Sequence, residues 1–306
     1  MEDQSYQGDL WNSQAFRLLK EFGWLKIGDH NMDLPGTDAS KMGVDTIVCF
    51  DTPLKTKPQL AILEAKCYAT TSFSKSVISD WISVLDSKIN RLRNSSKFYE
   101  LFPKVTECTS LDTGIIAIWF HDTNEYESFN ARFKEYLKLV QVSNRQKRGG
   151  AKKIFVIDNE RFMRLFSLHE TIRDIKKTGN FEFVYSPDFT SDTPTYRGPT
   201  LTIESIFSDV IFGTEIDKNN VEKSHIFYFG KSDYSSMAFL QHAYAKTMYW
   251  DKKYPIILHV YDAESQFRKI EPEIQANLFN EFDFKIKRMS KIINLPDFII
   301  NEPDDE

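Results

Sequence analysis

The sequence predicts an α/β fold in two parts, and three observations carry that expectation. Short segments dense in β-branched and aromatic residues alternate with longer stretches whose apolar residues recur every three or four positions. The alternation continues along a chain of 306 residues, long enough for one large domain or two modest ones. One Pro-, Ser- and Thr-rich segment, Ser186 to Pro199 (SPDFTSDTPTYRGP), interrupts it. The expected division is therefore 1–185, a mixed sheet covered by helices on both faces, and 186–306, a second, smaller α/β domain.

The elements follow in order. From Asp9 to Phe22, the residues Trp11, Ala15, Leu18, Leu19 and Phe22 keep helical spacing, with Asp9 as the expected cap and Gly23 as the expected stop. Lys26 to Met42, with Gly28, Pro35, Gly36 and the acids Asp29, Asp33 and Asp38, has the composition of a loop. Thr46 to Phe50 and Leu60 to Leu63 are strand-like and are separated by the breakers Pro53 and Pro58, which predicts an antiparallel pair. Ile78, Trp81, Ile82, Leu85, Ile89 and Leu92 lie on one stripe of a helix over Val77 to Leu92. Next come a strand at Ile115 to Phe120, a helix carrying Tyr126, Phe129 and Phe133, a strand at Ile154 to Ile157 and a helix carrying Phe162, Leu165 and Phe166. Phe181 to Tyr185 reads as the last strand of the first part. The second part continues with strands at Val210 to Ile216, Ile226 to Phe229 and Ile256 to Tyr261, and with helices around Met237 to Met248 and Phe267 to Leu278.

Chemistry concentrates in Gly43 to Lys66, GVDTIVCFDTPLKTKPQLAILEAK. Side chains alternate along a strand, so Glu64 and Lys66 share a face while Ala65 points to the opposite layer. Pairing of the two strands brings Asp45 beside Glu64. Two carboxylates at that distance repel unless a cation lies between them, and hard oxygen donors suit Mg²⁺ or Mn²⁺. Such an ion acidifies a bound water and shields a phosphate, while a neighbouring ammonium orients the nucleophile or stabilises the pentavalent charge. The competing reading makes Asp45 a turn residue and Glu64 with Lys66 a solvent-facing pair on an edge strand.

The order Asp45, then Glu64-Ala65-Lys66 on the next strand, resembles the PD-(D/E)XK nuclease superfamily over roughly the first half of the chain. The resemblance implies a restriction-endonuclease-like fold. It implies a metal held by Asp45, Glu64 and the backbone carbonyl of Ala65, with Lys66 assisting the attacking water. It also implies an Mg²⁺-dependent endonuclease acting on DNA, in prokaryotic restriction or anti-phage defence. Members often add an acidic ligand from the first helix, where this chain offers only Asp9 and Glu21, and a Gln in the helix after the motif, where none occurs between Cys67 and Glu100. Asp38 is a further acid that could join a second metal, or a turn residue.

The net charge of −5 argues against non-specific coating of nucleic acid, which depends on clustered Lys and Arg. The exception is Arg145 to Lys153 (RQKRGGAKK), where Arg145, Lys147, Arg148, Lys152 and Lys153 surround a Gly pair. This run fits either a flexible contact to the phosphate backbone or a solvated connection. An acidic nuclease leaves room for a partner subunit that binds the target, and for a homo-oligomer. Cys49, Cys67 and Cys108 have no metal or CxxC spacing, and no segment has the length or character of a membrane span or signal peptide, so the expected setting is the cytoplasm. His225, His242 and His259 stand apart in sequence and read as structural residues. No dinucleotide or P-loop signature and no nucleophile elbow is present. The competing class is a catalytically silent scaffold or nucleic-acid-binding subunit that keeps the nuclease fold; retention of both acids and the lysine favours the enzyme.

Overall fold

A computed structural model describes residues 2–35, 41–53, 55–140, 152–185, 196–244, 255–263, 267–278, 280 and 283–300. The chain opens with α1 (Glu2–Glu21), β1 (Leu25–Ile27), β2 (Met32–Pro35), β3 (Lys41–Val44), β4 (Thr46–Phe50) and β5 (Gln59–Tyr68). Then follow α2 (Lys75–Arg93), α3 (Ser96–Leu101), β6 (Thr113–Phe120), α4 (Thr123–Lys138), β7 (Lys153–Ile157) and α5 (Asn159–Lys176). The remainder holds β8 (Gly179–Tyr185), β9 (Tyr196–Gly198), α6 (Ile203–Ile206), β10 (Val210–Asp217), β11 (Glu222–Tyr228), α7 (Tyr234–Tyr244), β12 (Ile256–Tyr261), α8 (Phe267–Leu278), β13 (Phe284–Met289) and α9 (Asp297–Ile300).

The chain forms two units, Met1–Phe162 with Ile293–Glu306, and Met163–Ile292. In the first, a mixed sheet has the order β1-β4-β5-β6-β7: β4 is antiparallel to β1 and β5, while β5, β6 and β7 run parallel. Leu60 and Ile62 of β5 and Ile116 and Ile118 of β6 face one core with Ile78, Ile82, Leu85, Ile89 and Leu92 of α2 and Phe129 and Phe133 of α4. By strand alternation Ala61, Leu63 and Ala65 face the other side, where α1 packs on β5 and the Trp11 indole donates to Ala117 O at 3.0 Å. Small residues on that face let a helix carrying two consecutive leucines approach closely.

Helix α1 ends as its glycine predicts. Gly23 takes φ 83°, its N–H donates to Lys20 O at 2.9 Å and Trp24 N–H donates to Leu19 O at 3.2 Å, the paired bonds of a left-handed helix stop. Trp24 then stacks on Phe50 with ring centroids 4.0 Å apart. The start differs from expectation: Asp9 lies inside α1 rather than capping it. Residues 2–8 contain no proline, and an interior Gly8 costs a helix only about 1 kcal/mol. Within the expected loop, β2 and β3 pair antiparallel and bury Leu34, Met42 and Val44; the alternation is too short to stand out in sequence.

The second unit contains a mixed sheet of order β13-β12-β11-β10-β8-β9. Strand β8, read from sequence as closing the first part, pairs antiparallel with β10 and so belongs to this second sheet. The units divide within α5, earlier than the Ser186–Pro199 segment, most of which lies outside the described residues. A helix that continues unbroken across a division leaves no compositional mark. Strand β13 was not anticipated either, because Lys285, Lys287 and Arg288 dilute its apolar pattern at the sheet edge. Ile226, Leu258 and Val260 pack with Met237, Leu240, Phe267 and Ile274 of α7 and α8 on one face. No helix among the described residues is long and apolar enough to cross a membrane.

Candidate active site

Asp45 occupies the bend between β3 and β4, where its backbone is held from two directions. Its carbonyl accepts from Asn31 N–H at 2.8 Å and from the Asn12 side-chain amide at 3.2 Å. Asn12, buried on α1, also accepts from the Thr46 hydroxyl at 3.0 Å, and Thr46 is hydrogen-bonded to His30 Nδ1 at 2.7 Å. These bonds set where the Asp45 side chain leaves the sheet.

The pairing of β4 with β5 ends at Thr46 opposite Leu63, so β5 runs on beyond its neighbour with Glu64, Ala65 and Lys66. Asp45 takes up part of that exposed edge: its Oδ2 accepts from Ala65 N–H at 2.9 Å. In an extended strand the N–H and C=O of one residue leave from the same edge, so the Ala65 carbonyl is directed to the side that carries the Asp45 carboxylate. Glu64 and Lys66 share the opposite direction from Ala65, toward α2.

Lys66 Nζ lies 3.2 Å from Asp45 Oδ2 and 3.4 Å from Glu64 Oε2, which brings all three residues of the sequence motif together. The Glu64 side chain is only 7% exposed. Its other oxygen, Oε1, accepts from Lys88 Nζ of α2 at 2.6 Å. Burial, and then the Asp45 carboxylate beside it, push the Glu64 carboxyl above its usual range against the opposing pull of Lys66 and Lys88. Two lysines thus face two carboxylates in a partly buried setting.

Lys88 and Asn12 escaped the sequence reading, though each left a trace. Lys88 stands three residues after Leu85 and four before Leu92, in register with the apolar stripe of α2, and Asn12 stands three residues before Ala15 and seven before Leu19 on the stripe of α1. A polar residue at a core position of an amphipathic helix is the signal. It does not say what the residue meets.

The other expected residues divide. Arg145, Lys147, Arg148 and Asp38 lie outside the described residues. Lys152 pairs with Asp86 of α2 at 2.7 Å, and Lys153 is exposed at the start of β7. Glu21 is exposed at the end of α1. The three cysteines are free thiols, and burial pushes Cys49 up to about 12 and Cys67 up to about 11, which suits packing rather than nucleophilic chemistry.

The family described as the GAPS4 protein PD-(D/E)XK nuclease domain matches residues 1–161, more than half of the chain. The chain belongs to the GAPS4 PD-(D/E)XK nuclease family. No curated protein and no solved structure matches it. The matched segment covers α1 through β7 and contains Asp45, Glu64, Ala65 and Lys66, so the GAPS4 nuclease domain includes the whole constellation described above.

The donor set of this GAPS4 domain fits a hard divalent ion. It offers carboxylate oxygens from Asp45 and Glu64 and a backbone carbonyl at Ala65, all oxygen. A divalent cation there would oppose the repulsion between the two carboxylates in place of part of the charge that Lys66 and Lys88 supply. Among the described residues no group of three or more His, Cys, Asp or Glu side chains assembles into a metal cage. A two-carboxylate site of this kind leaves positions for water and for substrate phosphate.

Proposed function

We propose that this GAPS4 family nuclease hydrolyses DNA phosphodiester bonds as an Mg²⁺- or Mn²⁺-dependent endonuclease in prokaryotic restriction or anti-phage defence. The observation that carries the reading is Lys66 Nζ within 3.4 Å of both acids, Asp45 and Glu64, at the open end of β5. Asp45, Glu64 and the Ala65 carbonyl are the residues that would hold the ion. Bound there, it supplies Lewis acidity toward the phosphodiester and acidifies water. Lys66, on the same face as both acids, orients the attacking water and stabilises the charge that accumulates on phosphorus-bound oxygens. The buried flank of Glu64 limits access of bulk water and strengthens each of these interactions. Lys153, and Lys152 in exchange with Asp86, together with Arg145, Lys147 and Arg148 are assigned to the phosphate backbone outside the reacting group. The net charge of −5 opposes non-specific attraction to the phosphate backbone, which supports assistance in target binding from a partner subunit or a second copy.

The test is cleavage of supercoiled plasmid and of linear DNA by the full chain with Mg²⁺ or Mn²⁺, beside Lys66→Met. The expected result is metal-dependent nicking that falls about 100-fold or more in the variant. Cutting that needs no divalent ion, or that survives in Lys66→Met, sinks the reading.

A further inference from the structure

The charge around Glu64 is already balanced by the chain itself. Asp45 and Glu64 contribute two negative charges, and Lys66 and Lys88 contribute two positive ones, joined by three ion pairs at 2.6 to 3.4 Å: Lys66 to each acid and Lys88 to Glu64. Lys88 makes the shortest of these contacts, and its side chain is only 15% exposed. Its position is fixed from behind: Leu85 and Ile89 on the same helix are buried, and Gly114 of β6 lies so close under them that a Cβ there would sit 2.8 Å from Leu85 Cδ2 and 2.9 Å from Ile89 Cδ1. Helix α2 therefore presses Lys88 onto Glu64.

We infer that Lys88 is a built-in competitor of the divalent ion for Glu64, and that a nucleic-acid phosphodiester relieves the competition by accepting the displaced ammonium. This rests on the metal-site reading of Asp45 and Glu64. The reason is charge. A divalent ion added to a neutral group of four leaves an excess of two positive charges in a partly buried site, which is unfavourable. A phosphodiester brings one negative charge and oxygen acceptors to which a lysine can turn. Lys66 must remain with the reacting group because it faces both acids, whereas among the described residues Lys88 pairs with Glu64 Oε1 and can exchange that anionic oxygen for another. Metal and nucleic acid then bind cooperatively, and the unliganded chain holds metal weakly. A nuclease so arranged assembles its metal centre on its substrate.

The test is Mn²⁺ binding to the full chain, read from the electron paramagnetic resonance of free Mn²⁺. The proteins are the unsubstituted chain, Lys88→Met, Lys88→Gln, Lys88→Arg and Asp45→Asn, each checked for fold by circular dichroism. The titration is run without DNA and with a short duplex of hydrolysis-resistant phosphorothioate linkages. Without DNA, Lys88→Met and Lys88→Gln are expected to bind Mn²⁺ about tenfold more tightly than the unsubstituted chain, and Lys88→Arg about equally. The duplex is expected to tighten Mn²⁺ about tenfold in the unsubstituted chain and clearly less in the neutral variants. Mn²⁺ binding that is lost in Asp45→Asn yet unchanged or weaker in both neutral variants overturns the competition and leaves the metal site standing. A duplex effect equal in all proteins overturns the role of the phosphodiester. Binding that persists in Asp45→Asn overturns the metal-site reading and the inference with it.

Discussion

Asp45 and Ala65 meet through a 2.9 Å hydrogen bond in which a side chain takes the place of a strand partner. The bond ties the bend before β4 to the overhanging end of β5, and the same oxygen, Asp45 Oδ2, lies 3.2 Å from Lys66 Nζ. A structural role and the proposed metal-binding role therefore fall on one residue, and substitutions can separate them.

Asp45→Asn keeps an oxygen that can accept the Ala65 amide but removes the charge. Its melting temperature is expected to stay within a few degrees of the original while DNA cleavage falls at least 100-fold. Asp45→Ala removes both, leaving the Ala65 amide without its acceptor, and is expected to lose about 1–2 kcal/mol of stability as well. Equal stability of the two variants in urea unfolding would show that the bond contributes nothing to the fold.

Asn12 is expected to act on the site from behind. Its amide serves the Asp45 carbonyl, the Asn31 side chain and the Thr46 hydroxyl, all in a buried or half-buried setting. Asn12→Ala should cost about 1–3 kcal/mol by removing three hydrogen bonds from a buried or half-buried setting. Asn12→Asp should cost more, because a carboxylate replaces a donor that faces two acceptor oxygens. Thermal unfolding orders the three proteins, and Asn12→Asp at or above Asn12→Ala would contradict the donor assignment.

Gly114 sets the depth at which α2 rests on the sheet. Gly114→Ala places a methyl within 2.9 Å of buried Leu85 and Ile89 atoms and is expected to destabilise by about 1–3 kcal/mol. Unfolding in urea measures it, and the result to refute the account is a stability equal to the original.

The second unit is expected to weaken in acid. On the face of its sheet opposite α7 and α8, His225 Nδ1 and His259 Nε2 are hydrogen-bonded at 2.9 Å, and His225 Nε2 and Glu215 Oε2 at 3.1 Å. Burial pushes His225 down to about 4, with Glu215 pulling the other way and Lys287 and Lys223 adding to the burial. Burial also depresses His259, with His225 and Lys287 beside it. Burial opposes the charge of Glu215, but the Thr178 hydroxyl, His225 and Lys223 hold its carboxyl below the usual range. Unfolded imidazoles titrate near 6.5. The neutral histidines therefore contribute their full stability above about 6.5 and lose it as pH falls toward 4, since the unfolded chain takes up protons that the folded one refuses. Below that window the depressed Glu215 carboxyl loses its contribution in the same direction. From His225 alone the loss is about 2 kcal/mol between pH 6.5 and pH 5. Melting temperatures at pH 7, 6 and 5 should fall, and less steeply in His225→Asn; a flat profile would remove the basis for a neutral buried pair.

The spacing of Asp45, Glu64 and Lys66, set in two apolar segments, was sufficient to expect the motif, the antiparallel pair and the nuclease family. Strand alternation is local, and it alone placed Glu64 and Lys66 on one face. Helices α1, α2, α4 and α5 were legible because their stripes are long. Strand β8 went to the other sheet because pairing partners distant in sequence chose its place, and β13 was obscured by the cations of an edge strand. His225 and His259 looked isolated because their adjacency comes from parallel pairing of β11 with β12, across 34 positions of sequence.

By itself the sequence determined the long helices and the most apolar strands, the motif in which Asp45, Glu64 and Lys66 stand, and the family to which the chain belongs, since each rests on short-range periodicity or a short motif. Only the tertiary structure decided that Glu64 is shared by two lysines, that Asn12 supports Asp45 and that Lys152 spends its charge on Asp86. Those relations depend on how closely α1 and α2 approach the sheet. That approach is set by small residues such as Ala65 and Gly114 far along the chain from the side chains they admit.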